Sequence, residues 1–236
     1  MRALRLLFVI AIAVCFTSTA WAVDLINSPH DLSTTSTNGG IHTDAADGTD
    51  QVCVFCHTPH AAVSTAYGPL WNRNYTPGTF TFYTSSTFDG GTIALGAASY
   101  GCMSCHDGSL ALDNLANTPG SNTEAWVAGG IYTFVDPNSH LNTDNQLSAG
   151  LAAIGTDLSN DHPVGFTYAT SAAADPEIFA APGGAEPLFA GQMECATCHD
   201  VHDYDGGGAG ASAGYTTFLR GSMAQSALCL DCHDKQ

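Results

Sequence analysis

The sequence predicts a mostly irregular, loop-rich protein with short helices and one small β-hairpin, organised by bound cofactors rather than by a large apolar core. Three observations carry this expectation. Eight of the nine cysteines fall in four Cys-x-x-Cys-His units. Segments with a sustained helical or strand apolar period are scarce, and Gly, Ala, Ser, Thr and Asn fill the intervals. The units are Cys53/Cys56/His57, Cys102/Cys105/His106, Cys195/Cys198/His199 and Cys229/Cys232/His233.

In each unit the two thiols lie about one helical turn apart, which lets them add to the two vinyl groups of one haem as thioethers. The next histidine then lies beneath the iron. Four covalently bound haem c groups are therefore expected. A disulfide framework or paired zinc sites would also use eight exported cysteines, but neither requires a histidine after every second one. Thioredoxin-like chemistry lacks the βαβ setting it needs. Each haem has only about fifty residues to wrap it, so the haems supply much of the core, as in small metal-dependent domains.

In chain order, Met1-Arg2-Ala3-Leu4-Arg5, an apolar run over 6–16 and Ala20-Trp21-Ala22 read as a secretory signal, 1–22, cleaved before Val23. The run is too short to span a membrane, and nothing later is continuously apolar. Residues 23–236 form a single tetrahaem domain. Residues 23–50 read as an extended arm able to dock on a neighbour. A short helical turn over 51–62 carries the first site, and 69–71 is a loop. Residues 75–93, with Thr79-Phe80-Thr81-Phe82-Tyr83 and Asp89-Gly90-Gly91, read as the β-hairpin.

A short helix over 95–106 leads into the second site and stops near Asp107-Gly108. Loop follows over 113–146, with Pro119-Gly120 and Gly129-Gly130 as breakers, then a short helix over 147–158. Pro163 holds His162 extended. Residues 172–191 read as surface loop, 192–202 carry the third site, and 206–214 form a Gly-rich tip. The best helix candidate is 222–233, with Ser222 as N-cap and the fourth site in its last turns.

Carboxylates number 22 against five Lys and Arg, for a net charge of −17. After signal removal only Arg73, Arg220 and Lys235 remain as fixed cations. Nucleic acid and anionic lipid are poor partners for such a surface. Other redox proteins, metal ions and oxidised metal surfaces suit it better.

Ten histidines less the four beneath the irons leave His30, His42, His60, His140, His162 and His202 for the opposite axial positions. His57-Thr58-Pro59-His60 and His199-Asp200-Val201-His202 repeat one spacing. Two imidazoles three residues apart face neighbouring directions of a turn, so one can bind its own haem while the other reaches a different iron. His30 and His162 each sit beside a proline. His42 and His140 lie in polar, turn-rich surroundings that suit surface residues. Bis-histidine ligation favours lower potentials than His/Met ligation.

The chain resembles multihaem c-type cytochromes, specifically the tetrahaem cytochromes that polymerise into extracellular filaments in metal-reducing bacteria. The words that carry the resemblance are Ser28-Pro29-His30-Asp31-Leu32-Ser33, Cys56-His57-Thr58-Pro59-His60, Leu70-Trp71-Asn72-Arg73, Cys105-His106-Asp107-Gly108, Asp161-His162-Pro163-Val164-Gly165-Phe166 and Cys198-His199-Asp200-Val201-His202. The resemblance implies bis-histidine haems in a continuous chain, with His30, His60, His162 and His202 as distal ligands. It also implies one distal histidine supplied by the adjacent subunit of a homopolymer, a role that falls to His60.

The expected function is electron transfer by an exported protein that is not an enzyme, acting in an extracellular filament on acceptors such as metal oxides. A monomeric periplasmic tetrahaem carrier is the alternative. A multihaem reductase would need one open iron and nearby proton donors.

Overall fold

Few stretches of this chain can bury one face for more than two turns, so its elements are short and loops join them. The computed structural model describes residues 25–63, 67–119, 131–184, 186–202 and 218–234. The expected signal, the breakers at Gly120 and Gly129-Gly130, the tip at 206–214 and Lys235 lie outside the described residues. In order, the elements are β1 (His42–Thr43), a 3₁₀ turn (Val52–Phe55), β2 (Thr81–Phe82), α1 (Ala97–His106), β3 (Phe134–Val135) and β4 (Asp157–Leu158). There follow β5 (Phe166–Thr167), α2 (Tyr168–Ala174), β6 (Gln192–Met193), α3 (Cys195–Cys198), a 3₁₀ turn (Ala224–Ser226) and α4 (Ala227–Leu230).

Three two-stranded pairs tie distant loops together. β1 runs antiparallel to β3 with His42 opposite Val135, β2 parallel to β4 with Thr81 opposite Asp157, and β5 antiparallel to β6 with Phe166 opposite Met193. The loop-rich architecture with short helices is as the sequence predicts, but the hairpin over 75–93 is not formed. Thr81–Phe82 pairs instead with Asp157–Leu158, which fall in the stretch read as a helix over 147–158. That helix is absent because Gly150 and Gly155 both take left-handed conformations, φ +79° and +78°, which interrupt an α-helix.

The amino-terminal segment is folded on its own chain rather than extended. The buried Asp31 carboxylate accepts from the Asn27 N–H at 2.8 Å, the Ser33 N–H at 3.1 Å and the Ser33 hydroxyl at 2.6 Å. Thr34 donates to the Thr49 carbonyl at 2.8 Å, and Thr43 to the Leu32 carbonyl at 2.9 Å. These bonds satisfy a backbone that no regular element covers.

The apolar interior is divided into small clusters, each beside an attachment unit. Val54 and Phe55 of the first unit pack with Leu115 and Tyr132. Met103 of the second packs with Tyr75, Leu95 and Leu158. Cys232 of the fourth packs with Phe166, Tyr168 and Met193. Between them lie fully buried polar side chains, among them Asn72, Arg73, Ser99, Asp113, Glu194 and Thr197.

Among the described residues α1 is the longest helix. Ser99, Gly101, Met103 and Ser104 form its buried face, and a Cβ at Gly101 would stand 2.8 Å from the Tyr67 carbonyl oxygen. It ends at Asp107 and Gly108 as expected. α2 extends into the stretch read as surface loop, and Ile178 beyond it bridges to His233, so that stretch supports the fourth site. The expected helix over 222–233 is broken. Gln225 and Ser226 sit at φ +54° and +61°, and the Ser222 hydroxyl accepts only from the Ala224 N–H, at 3.1 Å. Among the described residues, no helix is long and apolar enough to cross a membrane.

Candidate haem-binding sites

Each attachment unit is a tight turn closed on its first cysteine. The N–H groups of His57, His199 and His233 donate to the carbonyls of Cys53, Cys195 and Cys229 at 2.8, 3.1 and 3.0 Å. In the second unit α1 itself supplies the turn. None of the eight cysteines is in a disulfide, and among the described residues no three His, Cys, Asp or Glu converge as a metal cluster would require.

The first two units are braced by neighbouring residues. Asn72 donates through Nδ2 to the Val54 carbonyl at 2.8 Å and to Asn117 at 2.9 Å, while its N–H donates to the Cys56 carbonyl at 2.9 Å. Arg73 donates to the carbonyls of Leu112 at 2.6 Å, Ala111 at 2.7 Å and Ser104, inside the second unit, at 3.0 Å.

Glu194 joins the second unit to the third. Its carboxylate accepts from the Gly96 N–H at 2.9 Å and from the Ser99 hydroxyl, and the Thr197 hydroxyl accepts from the Glu194 N–H at 3.0 Å. Burial pushes the Glu194 carboxyl up against the hydrogen bonds from Ser99 and Gly96 that pull it down. The thiols of Cys102 and Cys195 share a hydrogen bond, which raises Cys102 and lowers Cys195, so sulfurs of the second and third units touch. Arg220 closes the third unit. It donates to the Ala196 carbonyl at 2.9 Å and pairs with Asp200 at 2.8 Å.

Six of the histidines come in pairs, one stacked and two edge-to-face. Ring centroids are 6.2 Å apart for His57 and His202, 5.9 Å for His106 and His30, and 6.3 Å for His233 and His162. Two imidazoles holding one metal ion from opposite sides, each by a bond of about 2 Å, have centroids about 6 Å apart. Rings in van der Waals contact face to face would be much closer, so the 21° interplanar angle of His57 and His202 describes alignment across a gap.

The ring nitrogens are prepared to match. His57, His106 and His162 each donate Nδ1–H to a backbone carbonyl, those of Pro69 at 2.7 Å, Ala152 at 2.7 Å and Pro163 at 2.9 Å. That bond fixes the tautomer and leaves the Nε2 lone pair for a metal. The Asp200 carboxylate lies 3.6 Å from His202 Nδ1. Burial, with the fields of His106, His202 and His199, pushes His30 down to about 3, so its ring is neutral at physiological pH, as a ligand must be. Burial also lowers His106.

Eight free thiols, three histidine pairs at centroid separations that a shared metal ion would also give and a hollow lined by Cys53, His57, Pro59 and Asn117 are compatible with haem c. Of the six distal candidates, the structure brings His30, His162 and His202 to attachment histidines. His60 lies exposed on the turn after the first unit, beside Ala61 at φ +52°. His42 bonds the Gly40 carbonyl at 2.9 Å, and His140 lies 3.5 Å from Asp136.

Sequence reasoning missed Asn72, Arg73, Glu194 and Arg220 as bracing groups. The scarcity of cations was the available signal for the two arginines; nothing local marks Asn72 or Glu194. No protein-family profile and no curated protein matches the chain.

Proposed function

We propose that the chain is a tetrahaem c-type cytochrome that transfers electrons along a continuous haem array, as a subunit of an extracellular filament. The observation that carries the reading is the set of three histidine pairs, each joining an attachment histidine to one from elsewhere in the chain. When bound, each haem supplies an iron that exchanges one electron. The protein's part would be to anchor it through two cysteines and to hold His57/His202, His106/His30 and His233/His162 in fixed positions that would leave no room at those irons for substrate. Cys53/Cys56, Cys102/Cys105, Cys195/Cys198 and Cys229/Cys232 attach the groups, with His57, His106, His199 and His233 proximal. His202, His30 and His162 serve as distal partners of the first, second and fourth sites.

His60 is the distal ligand offered to an adjacent subunit. It is exposed, and Val63 and Leu70 on the same loop present apolar surface, 47% and 49% exposed. The acidic surface suits cationic redox partners and oxidised metal surfaces. Intact mass and visible spectra test the haem reading: four covalent haems, all low-spin, are expected. A high-spin iron in the resting protein would favour a reductase instead.

His202→Ala should keep four haems attached and turn only the first site high-spin; an unchanged spectrum would remove the His57/His202 assignment. Cryo-electron microscopy of the secreted protein tests the polymer. Discrete particles with every iron ligated internally would replace it with the monomeric carrier.

A further inference from the structure

We propose that the side chains of Glu186 and Asp231 share a calcium ion in the gap over Gly184, clamping the turn at Gly183-Gly184 to the fourth Cys-x-x-Cys-His unit. This goes beyond the haem reading and does not rest on it, because the donors are oxygen atoms that no attachment unit uses.

Glu186 is 8% exposed, and its Oε2 is buried without a hydrogen-bond partner. A carboxylate oxygen in that state is costly unless a counter-charge meets it. What it faces is a second carboxylate. A Cβ built at Gly184 would collide with Glu186 Oε2 and stand 2.6 Å from Asp231 Oδ2, so both oxygens lie within 2.6 Å of one point. Asp231 belongs to the fourth unit, between Cys229 and Cys232, and its Oδ1 lies 3.7 Å from the Cβ position of Gly183. The two carboxylates thus converge on the Gly183-Gly184 turn, where glycine leaves the space between them open.

Main-chain bonds fix that turn against the unit. The Gly183 N–H donates to the Asp231 carbonyl at 2.6 Å, Phe179 N–H to that of Cys232 at 3.0 Å, and Asp234 N–H to that of Glu177 at 2.7 Å. The two described guanidinium groups are engaged elsewhere. Arg73 bonds the carbonyls of Ser104, Ala111 and Leu112. Arg220 adjoins Gly221, whose Cβ position is 3.4 Å from Glu186 Oε1, yet its guanidinium goes to Ala196 and Asp200.

Two carboxylates this close repel unless a cation or a shared proton lies between them. Calcium bonds oxygen at about 2.3–2.6 Å, so oxygens up to about 5 Å apart can both reach one ion. It completes about six to eight ligands with main-chain carbonyls and water in irregular geometry, which suits a site with only two acidic side chains; magnesium demands a stricter octahedron. So low a charge count puts the affinity at the weak end, about 10⁻⁴–10⁻³ M. The clamp acts where the fold supports itself least, since α4 follows the left-handed Gln225 and Ser226 and buries only Leu228.

The test is a calcium chloride titration of the secreted protein, stripped with EDTA, followed by calorimetry and thermal unfolding. One saturable event per chain is expected, with a Tm that climbs over about 0.1–10 mM calcium. Glu186→Gln should weaken the affinity at least tenfold, and Gly184→Ala should do so by filling the gap. Asp89→Asn, at an exposed position, should leave it unchanged.

No saturable event in the native protein at these concentrations would overturn the proposal, whether or not any variant folds, and would leave the two carboxylates sharing a proton. Equal weakening in Asp89→Asn would also overturn it, as diffuse binding to an acidic surface, and so would native affinity in folded Glu186→Gln. Covalent haem is read separately, from intact mass, so loss of the haem reading and loss of the calcium site are distinguishable.

Discussion

The second and fourth attachment units both read as helical in the sequence, and the fourth was the stronger candidate. In the structure the second is a regular ten-residue helix, while the fourth is a 3₁₀ turn and a single α-turn joined through two left-handed residues. Propensity does not separate them. α1 has small residues on its buried face, a floor made by Trp71 and Tyr67, Arg73 on a carbonyl of its last turn and Glu194 on its first N–H groups. The last segment buries only Leu228 within its helical turn. An isolated helix this short is marginal in water, so regularity here follows from how many neighbours demand it.

The largest change to that contrast should come from Gly101→Val. Its side chain would meet the Tyr67 carbonyl and lift α1 from its floor, at a cost of about 2–3 kcal/mol. Denaturant titration would read the cost, and, on the haem reading, intact mass should show one haem fewer than in the native protein.

Glu194→Gln probes the other end of α1 through pH. A carboxyl raised in the folded state binds its proton more tightly there than in the unfolded chain. Stability is therefore highest below the ordinary carboxylate value and falls as pH rises toward the raised one. Thermal unfolding over about pH 4 to 7 should show this decline in the native protein and a flatter profile in the variant.

The smallest effects sharpen the comparison most directly. Ala98→Gly in α1 should cost about 1 kcal/mol, the usual penalty of glycine inside a helix. Ser226→Gly, at a left-handed position, should be neutral or stabilising by up to about 1 kcal/mol. Equal losses at the two positions would mean that the last segment is a helix after all.

What the sequence made legible is what is local. The four Cys-x-x-Cys-His units declare themselves because each is confined to five consecutive residues, and the end of α1 because Gly108 takes a left-handed conformation there. The parallel pairing of Thr81–Phe82 with Asp157–Leu158 was hidden because each strand is two residues long and its alternation reads equally well as a hairpin arm. The stretch over 147–158 looked helical by composition, yet two left-handed glycines outweigh it. His202 could be nominated from its spacing to His199, but its partner His57 could not. That choice depends on how the third unit docks against the first, through contacts made by single polar side chains with no pattern of their own.

The histidine pairings also set a timetable. His30 has emerged before His106, and His162 before His233, so the second and fourth units find both imidazoles present as soon as their cysteines leave the ribosome. His57 must wait for His202, with most of the chain still to come. On the haem reading the first site is anchored first yet completed late, and a truncated or stalled chain would carry it with one face of its iron open.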